Sequence, residues 1–373
     1  MRETHLARHL LIAVLLVLGV VWALASAPGT KAAVEPYPDE TSLATPTWLK
    51  EHGNDKGLVV VDVRPDKNFD GKLIPGAVRL PWTTFQENRA AEVLAGMFVG
   101  PDRAQAILGA HGITRTDTVV LYDSVASEGG ATASYVFWVL DVLGHTNVKL
   151  LAGGIDGWIA AGGATSDTPR TPEPLLYQAP TAELRLDRWV DGEYIYPRLG
   201  DVQYQILDVR SVEEYLGQKA NKGLDGGALK LGHIPTAVNV DYRLARVDET
   251  GKALKSYPQL REVFRGLDPT RPVIIYCHSG RRGSFSYYVL RLMGFTDVRL
   301  YDGSMNEWGS QRRFYPLETT ARQLSSDALP GVSSRTPTGT SAAPTGTGRS
   351  GAAPASGNGA GGKATGGYVS CGG

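Results

Sequence analysis

The chain has 373 residues, with 38 Lys and Arg against 38 Asp and Glu, and two cysteines. A zero formal charge offers no field that would draw in nucleic acid or another polyanion, and two cysteines cannot build a disulfide framework. The length allows two ordinary domains, and a 20 % share of charged residues fits a folded protein rather than a disordered one.

At the start of the chain, Arg2 and Arg8 precede an apolar run over residues 10–25, and small-residue steps follow at Ala23-Leu24-Ala25 and Ala25-Ser26-Ala27. A positive start, a short apolar core and an A-x-A exit predict a secretory signal over residues 1–27, and with it an exported, periplasmic or extracellular protein. The run is only slightly short for a membrane span, so an uncleaved membrane anchor is the alternative. Pro28 disfavours cleavage directly after Ala27 and favours cleavage after Ala25.

Residues 59–63, 119–122 and 148–151 read as buried strands, and residues 131–143 as the helix between the last two. Strands alternating with helices predict parallel βα units, hence an open sheet covered on both faces. The pattern returns about 150 residues later, a spacing that means duplicated domains rather than a solenoid. Val59-Val60-Val61-Asp62-Val63-Arg64 is answered by Gln205-Ile206-Leu207-Asp208-Val209-Arg210. Val119-Val120-Leu121-Tyr122-Asp123 is answered by Val273-Ile274-Ile275-Tyr276-Cys277, and Gly153-Gly154-Ile155-Asp156-Gly157-Trp158 by Gly303-Ser304-Met305-Asn306-Glu307-Trp308. The predicted domains are residues 42–165 and 184–320. Pro169, Pro172, Pro174 and Pro180 make residues 166–183 a semi-stiff connector.

Cys277 opens the run Cys277-His278-Ser279-Gly280-Arg281-Arg282-Gly283-Ser284, between an apolar strand pattern and a helical one. A strand that delivers a lone thiol into a short Gly- and Arg-bearing loop, with a helix starting behind it, favours a thiolate. In parallel sheets, ligands sit beyond the carboxyl ends of the strands, where Cys277 falls. The alternative, an inert buried cysteine, does not call for two arginines within five residues. No Cys/His spacing resembles a metal site.

Residues 325–373 are rich in Ser, Thr, Pro, Ala and Gly, too poor in apolar residues to build a core, and predict a disordered tail. It ends in Tyr368-Val369-Ser370-Cys371-Gly372-Gly373. That ending partly resembles the sulfur-carrying arm of the carrier subunit of periplasmic Sox systems, which implies Cys371 as a sulfur relay.

Taken together, residues 42–316 resemble the tandem-domain rhodanese sulfurtransferases. The resemblance is carried by Asp208-Val209-Arg210, Gly232-His233-Ile234-Pro235 and Tyr301-Asp302-Gly303-Ser304-Met305-Asn306-Glu307-Trp308, with the cysteine loop between the last two. It implies a fold of two rhodanese-like α/β domains, the second catalytic and the first inactive; Asp123 stands where the first would need its thiol. It calls for no cofactor. The implied reaction is two-step transfer: Cys277 takes the outer sulfur of a small anionic donor such as thiosulfate. Cyanide, a thiol or a protein thiol then takes it from the persulfide. His278, Ser279, Gly280, Arg281, Arg282 and Gly283 would bind the donor, with Arg282 the better placed of the two arginines to point inward.

Loop length argues against the phosphatases that share this fold. Four residues separate Cys277 from Arg282, one fewer than those enzymes use, and a smaller cradle suits a single sulfur. Asp208 and Arg210 recur as Asp62 and Arg64, which marks them as scaffold rather than chemistry. Glu214 is a departure: animal relatives carry arginine there, and a carboxylate would repel a dianion. A persulfide or selenium carrier serving a dedicated partner is the competing reading.

Overall fold

The computed structural model describes residues 35–92 and 94–321. The predicted signal or anchor (1–27), the tail (325–373) and Cys371 lie outside the described residues.

The first repeat runs β1 (Leu43–Ala44), α1 (Pro46–His52), β2 (Leu58–Asp62), β3 (Val78–Arg79), β4 (Gln86–Arg89), β5 (Leu94–Phe98), α2 (Pro101–Ala110), β6 (Thr118–Tyr122), α3 (Ala131–Val142), β7 (Val148–Leu151) and α4 (Gly154–Ala160). The second runs β8 (Trp189–Val190), α5 (Gly192–Ile195), β9 (Gln205–Asp208), α6 (Val212–Tyr215), β10 (Val238–Asn239), α7 (Tyr257–Val263), β11 (Val273–Tyr276), α8 (Arg281–Leu292), β12 (Val298–Tyr301) and α9 (Ser304–Trp308). Short helical turns of the 3-10 type join several of these elements.

Each repeat builds one five-stranded sheet, in the orders β1-β7-β6-β2-β3 and β10-β9-β11-β12-β8, and every pairing in both is parallel. The registers repeat too: Val119 pairs with Val148 as Val273 pairs with Val298. The central strands β2, β6 and β11 are almost wholly buried, as strands covered on both faces must be, which explains their unbroken Val and Ile runs. The antiparallel ribbon β4-β5 belongs to the first repeat alone among the described residues.

Helices α3 and α8 join the two domains. All twelve residues of α3 are buried, the signature of a helix apolar on every side. It packs on its own sheet and on α8, with the rings of Phe137 and Tyr288 in edge contact at 5.1 Å. One apolar core therefore runs through both domains, from Val61, Leu121 and Trp138 to Ile275, Tyr287 and Leu300. Within it the Asp141 carboxylate accepts the Tyr287 hydroxyl and pairs with Arg185 and Arg291.

The proline-bearing connector is a strap on the first domain rather than a free spacer. Ser166 exchanges backbone hydrogen bonds with Leu73, Leu175 N–H donates to the Gly109 carbonyl, and Tyr177 and Ala179 are buried. Gly109 permits the approach, because a Cβ there would lie 2.4 Å from the Leu175 oxygen.

Candidate active site

Cys277 directly follows β11, at the carboxyl edge of the second sheet. Residues 277–280 form the whole turn from strand to helix, and α8 begins at Arg281. The first turn of a helix has N–H groups without intrahelical acceptors and a positive dipole end. Gly283, in that turn, has no side chain; a Cβ there would sit 3.8 Å from the Cys277 Sγ. Gly280 adopts φ 81°, and a Cβ on it would fall 2.6 Å from Asp302 Oδ1. The loop can close this tightly only with glycine at that position.

Ser304 ties the turn shut. Its hydroxyl oxygen accepts the N–H groups of Cys277 at 3.1 Å and Gly280 at 3.2 Å, and it donates to the Tyr301 carbonyl at 2.7 Å. It does this at φ 49°, a left-handed backbone that few residues other than glycine adopt. The matching residue of the first repeat is Gly154, at φ 58°. Serine retains the strain that glycine would relieve, and gains the hydroxyl that holds both ends of the loop.

The remaining predicted residues surround this turn. Ser279 is buried, and its carbonyl accepts the Arg281 N–H. His278 is buried; burial, reinforced by the charge of Arg282, pushes its imidazole down to about 4, so the ring is neutral at pH 7. Arg282 is not aimed at open space beside the thiol. Its Nη1 and Nη2 donate to Glu214 Oε2 at 2.8 Å and Oε1 at 3.0 Å, and both side chains are nearly buried. Burial alone would raise the Glu214 carboxyl, but the hydrogen bonds and charge of Arg282 overcome it and hold the group at about 2. Glu214 also closes the capping box of α6 through the Ser211 N–H and accepts from Asn221 Nδ2. Arg281 lies 3.9 Å from Glu128 Oε1, a residue of the first domain. It is therefore a partly buried residue of the domain seam.

The first domain walls the site. Its loop from Asp123 to α3 is longer than the Cys277 turn and carries Glu128 at φ 75°. Glu128 accepts the Tyr242 hydroxyl at 2.7 Å and lies 3.8 Å from Arg246. Tyr135 and the Phe98 N–H donate to Asp302, whose carboxyl burial pushes up to about 7. Asp123 occupies the position matching Cys277. Its carboxylate accepts the N–H groups of Gly130, Thr132 and Ala133 and the Thr132 hydroxyl, at 2.8–3.1 Å. In the first domain, then, a carboxyl group fills the cradle at the helix start; burial raises its pKa, and the four donors work against that rise.

A long excursion of the second domain covers the other side. Arg64 Nη2 reaches the carbonyl of Lys72, 8 residues on, whereas Arg210 Nη2 reaches that of Gly232, 22 residues on. The extra segment folds over the loop, with Leu224 N–H bonded to Asn306 Oδ1 at 2.8 Å. Cys277 is 1 % exposed beneath it. A cavity of about 620 Å³ at the domain seam is walled by Arg89, Met97, Trp189, Tyr194, Glu307 and Arg313 among others, but not by Cys277.

Asp208 and Arg210 form a bidentate buried pair with the geometry of Asp62 and Arg64, as the recurrence predicted. His233 stacks on Tyr215 at 3.7 Å and bonds the Tyr215 carbonyl, and Trp308 donates to the Pro316 carbonyl; these residues pack. Sequence reasoning missed Ser304, Asp302 and Glu128. The Gly154-to-Ser304 exchange was visible in the aligned repeats, whereas nothing local marks Glu128, which acts across the seam.

Comparison with known proteins agrees with the duplicated fold. A family model described as a rhodanese-like domain matches residues 45–161 and 192–311. SseA of Mycobacterium tuberculosis, provisionally named a thiosulfate sulfurtransferase, is 34 % identical over 74 % of this chain and 91 % of its own. The thiosulfate sulfurtransferase of Corynebacterium glutamicum is 31 % identical over 77 % of this chain and 93 % of its own. The sulfur carrier protein TtuD of Thermus thermophilus is 30 % identical over 74 % of this chain and 95 % of its own. Among solved structures, the anaerobic ergothioneine biosynthesis enzyme of Chlorobium limicola shares the fold, with a TM-score of 0.65 and 23 % identity over 77 % of this chain and 72 % of that one.

Proposed function

Because this chain belongs to the rhodanese-like family and is a sulfurtransferase, we propose that Cys277 is its nucleophile and carries the sulfur as a persulfide. The carrying observation is the matched pair of helix starts. One holds a carboxylate, Asp123, on N–H groups; the other holds a thiol over a four-residue turn stapled by Ser304. A cradle whose donors converge on carboxyl oxygens in one domain suits a thiolate, and then a terminal persulfide sulfur, in the other.

In the first step the Cys277 thiolate attacks the outer sulfur of an anionic donor, with thiosulfate as the assay substrate. The S–S bond of the donor breaks, its electron pair leaves with sulfite, and Cys277 keeps the sulfur as a persulfide anion. In the second step cyanide or a thiolate attacks that terminal sulfur, and the pair returns to Cys277 Sγ. No proton need move in either step. The first domain acts as a wall and as a support for Arg281 through Glu128. The apolar N-terminal run supports export to the periplasm or beyond, with either cleavage or anchoring at that segment.

A second reading, stoichiometric sulfur carriage to a partner protein, draws on the burial of Cys277 and on the name of the Thermus relative. One experiment separates the two. Purified protein mixed with excess thiosulfate is expected to release one equivalent of sulfite in a burst, and added cyanide to convert the burst into continuous thiocyanate formation. A burst without turnover would select the carrier, and no sulfur loaded from thiosulfate or from any other anionic sulfane donor would reject both.

A further inference from the structure

We propose that Glu214 sets the charge of the sulfur donor: by holding Arg282 in a buried bidentate pair, it suits the site to singly charged sulfane donors, of the thiosulfonate class, over the dianion thiosulfate. The inference rests on the assignment of Cys277 as nucleophile.

Arg282 lies in the first turn of α8, one residue before Gly283, whose missing Cβ faces the thiol. It is a natural receptor for donor oxygens. In this chain both of its terminal nitrogens are already committed to Glu214, at 2.8 and 3.0 Å. Arg281 has a looser counter-charge in Glu128, at 3.9 Å, so each cation of the loop lies near a carboxylate. Glu214 cannot swing aside cheaply, because Ser211 N–H and Asn221 hold the same carboxylate. A donor that takes Arg282 for itself strands a buried carboxylate beside it. The repulsion scales with donor charge, so a dianion meets about twice that of a monoanion at the same place.

The chemistry is the same for either donor. The Cys277 thiolate attacks the sulfane sulfur, the S–S bond breaks, and the electron pair leaves with a sulfinate from a thiosulfonate or with sulfite from thiosulfate. The persulfide anion remains on Cys277.

The test is single-turnover loading of the full chain by methanethiosulfonate anion and by thiosulfate, each rate divided by that of the same donor with a free small thiolate. In the unmodified protein the normalised rate is expected to favour the thiosulfonate by about tenfold or more. Glu214→Gln retains a side chain able to close the capping box. It is expected to speed thiosulfate loading about tenfold, mainly through a lower half-saturation concentration, and thiosulfonate loading less than about threefold. Equal normalised rates in the unmodified protein would overturn the inference and leave Cys277 in place. So would equal gains for both donors, or a loss for thiosulfate, in Glu214→Gln. Loading by neither donor in either protein would overturn it together with the assignment of Cys277.

Discussion

Cys277→Ser is expected to reduce thiosulfate:cyanide turnover at least about a thousandfold, to background, with the fold unchanged. The size follows from the mechanism. A hydroxyl is a far weaker nucleophile than a thiolate, and no other thiol stands in the described residues to replace it. Asp123, the only counterpart in the first domain, is a carboxylate already saturated by four donors, so the first domain offers no second centre. Serine differs from cysteine by one atom and loses no bond to Ser304, because the staple takes the backbone N–H of residue 277. The thermal midpoint should therefore change little, which separates lost chemistry from lost structure. Measurement pairs thiocyanate formation with a melting curve. Retained turnover would assign the chemistry to another residue.

The second large effect concerns stability. Asp208→Ala is expected to destabilise the protein by about 3–5 kcal/mol, the range for breaking one partner of a buried ion pair. Asp208 accepts the Arg210 N–H, Nε and Nη2 and the Tyr276 hydroxyl, and its loss leaves the Arg210 guanidinium buried without its ion-pair partner, bonded to the Gly232 carbonyl. Asp62→Ala in the first repeat breaks the matching pair, but Arg64 keeps Asp70 at 2.9 Å and the Lys72 carbonyl, so it is expected to cost less than Asp208→Ala. Denaturant titration of both variants measures it. Turnover by the folded fraction should persist in both. If Asp208→Ala instead abolished turnover while remaining as stable as the parent, Asp208 would belong to the chemistry and not to the scaffold.

The duplicated fold was legible because its signals are local. Val59, Val119 and Val273 head unbroken apolar runs that only doubly covered strands require, and each was placed within a residue of its observed start. The cysteine turn was legible for the same reason: strand, glycine, arginines and helix are contiguous in sequence. What escaped was pairwise and distant. Arg282 reads as an anion receptor until Glu214, 68 residues earlier, is seen on both of its nitrogens. Glu214 reads as a missing contact until it proves to occupy the cation itself. Glu128 sits in a loop with no pattern, and its importance comes only from the domain packing that brings it to Arg281 and Tyr242. The connector was legible as proline-rich but not as a strap, because its partners Gly109 and Leu73 lie far upstream.

Everything proposed for the chemistry of this chain requires the transferred sulfur to reside on Cys277. Peptide-level mass spectrometry of the full chain after donor loading and alkylation tests it most directly. One extra sulfur is expected on the peptide holding Cys277, lost on addition of cyanide. A loaded protein whose Cys277 peptide carries no extra sulfur would contradict it.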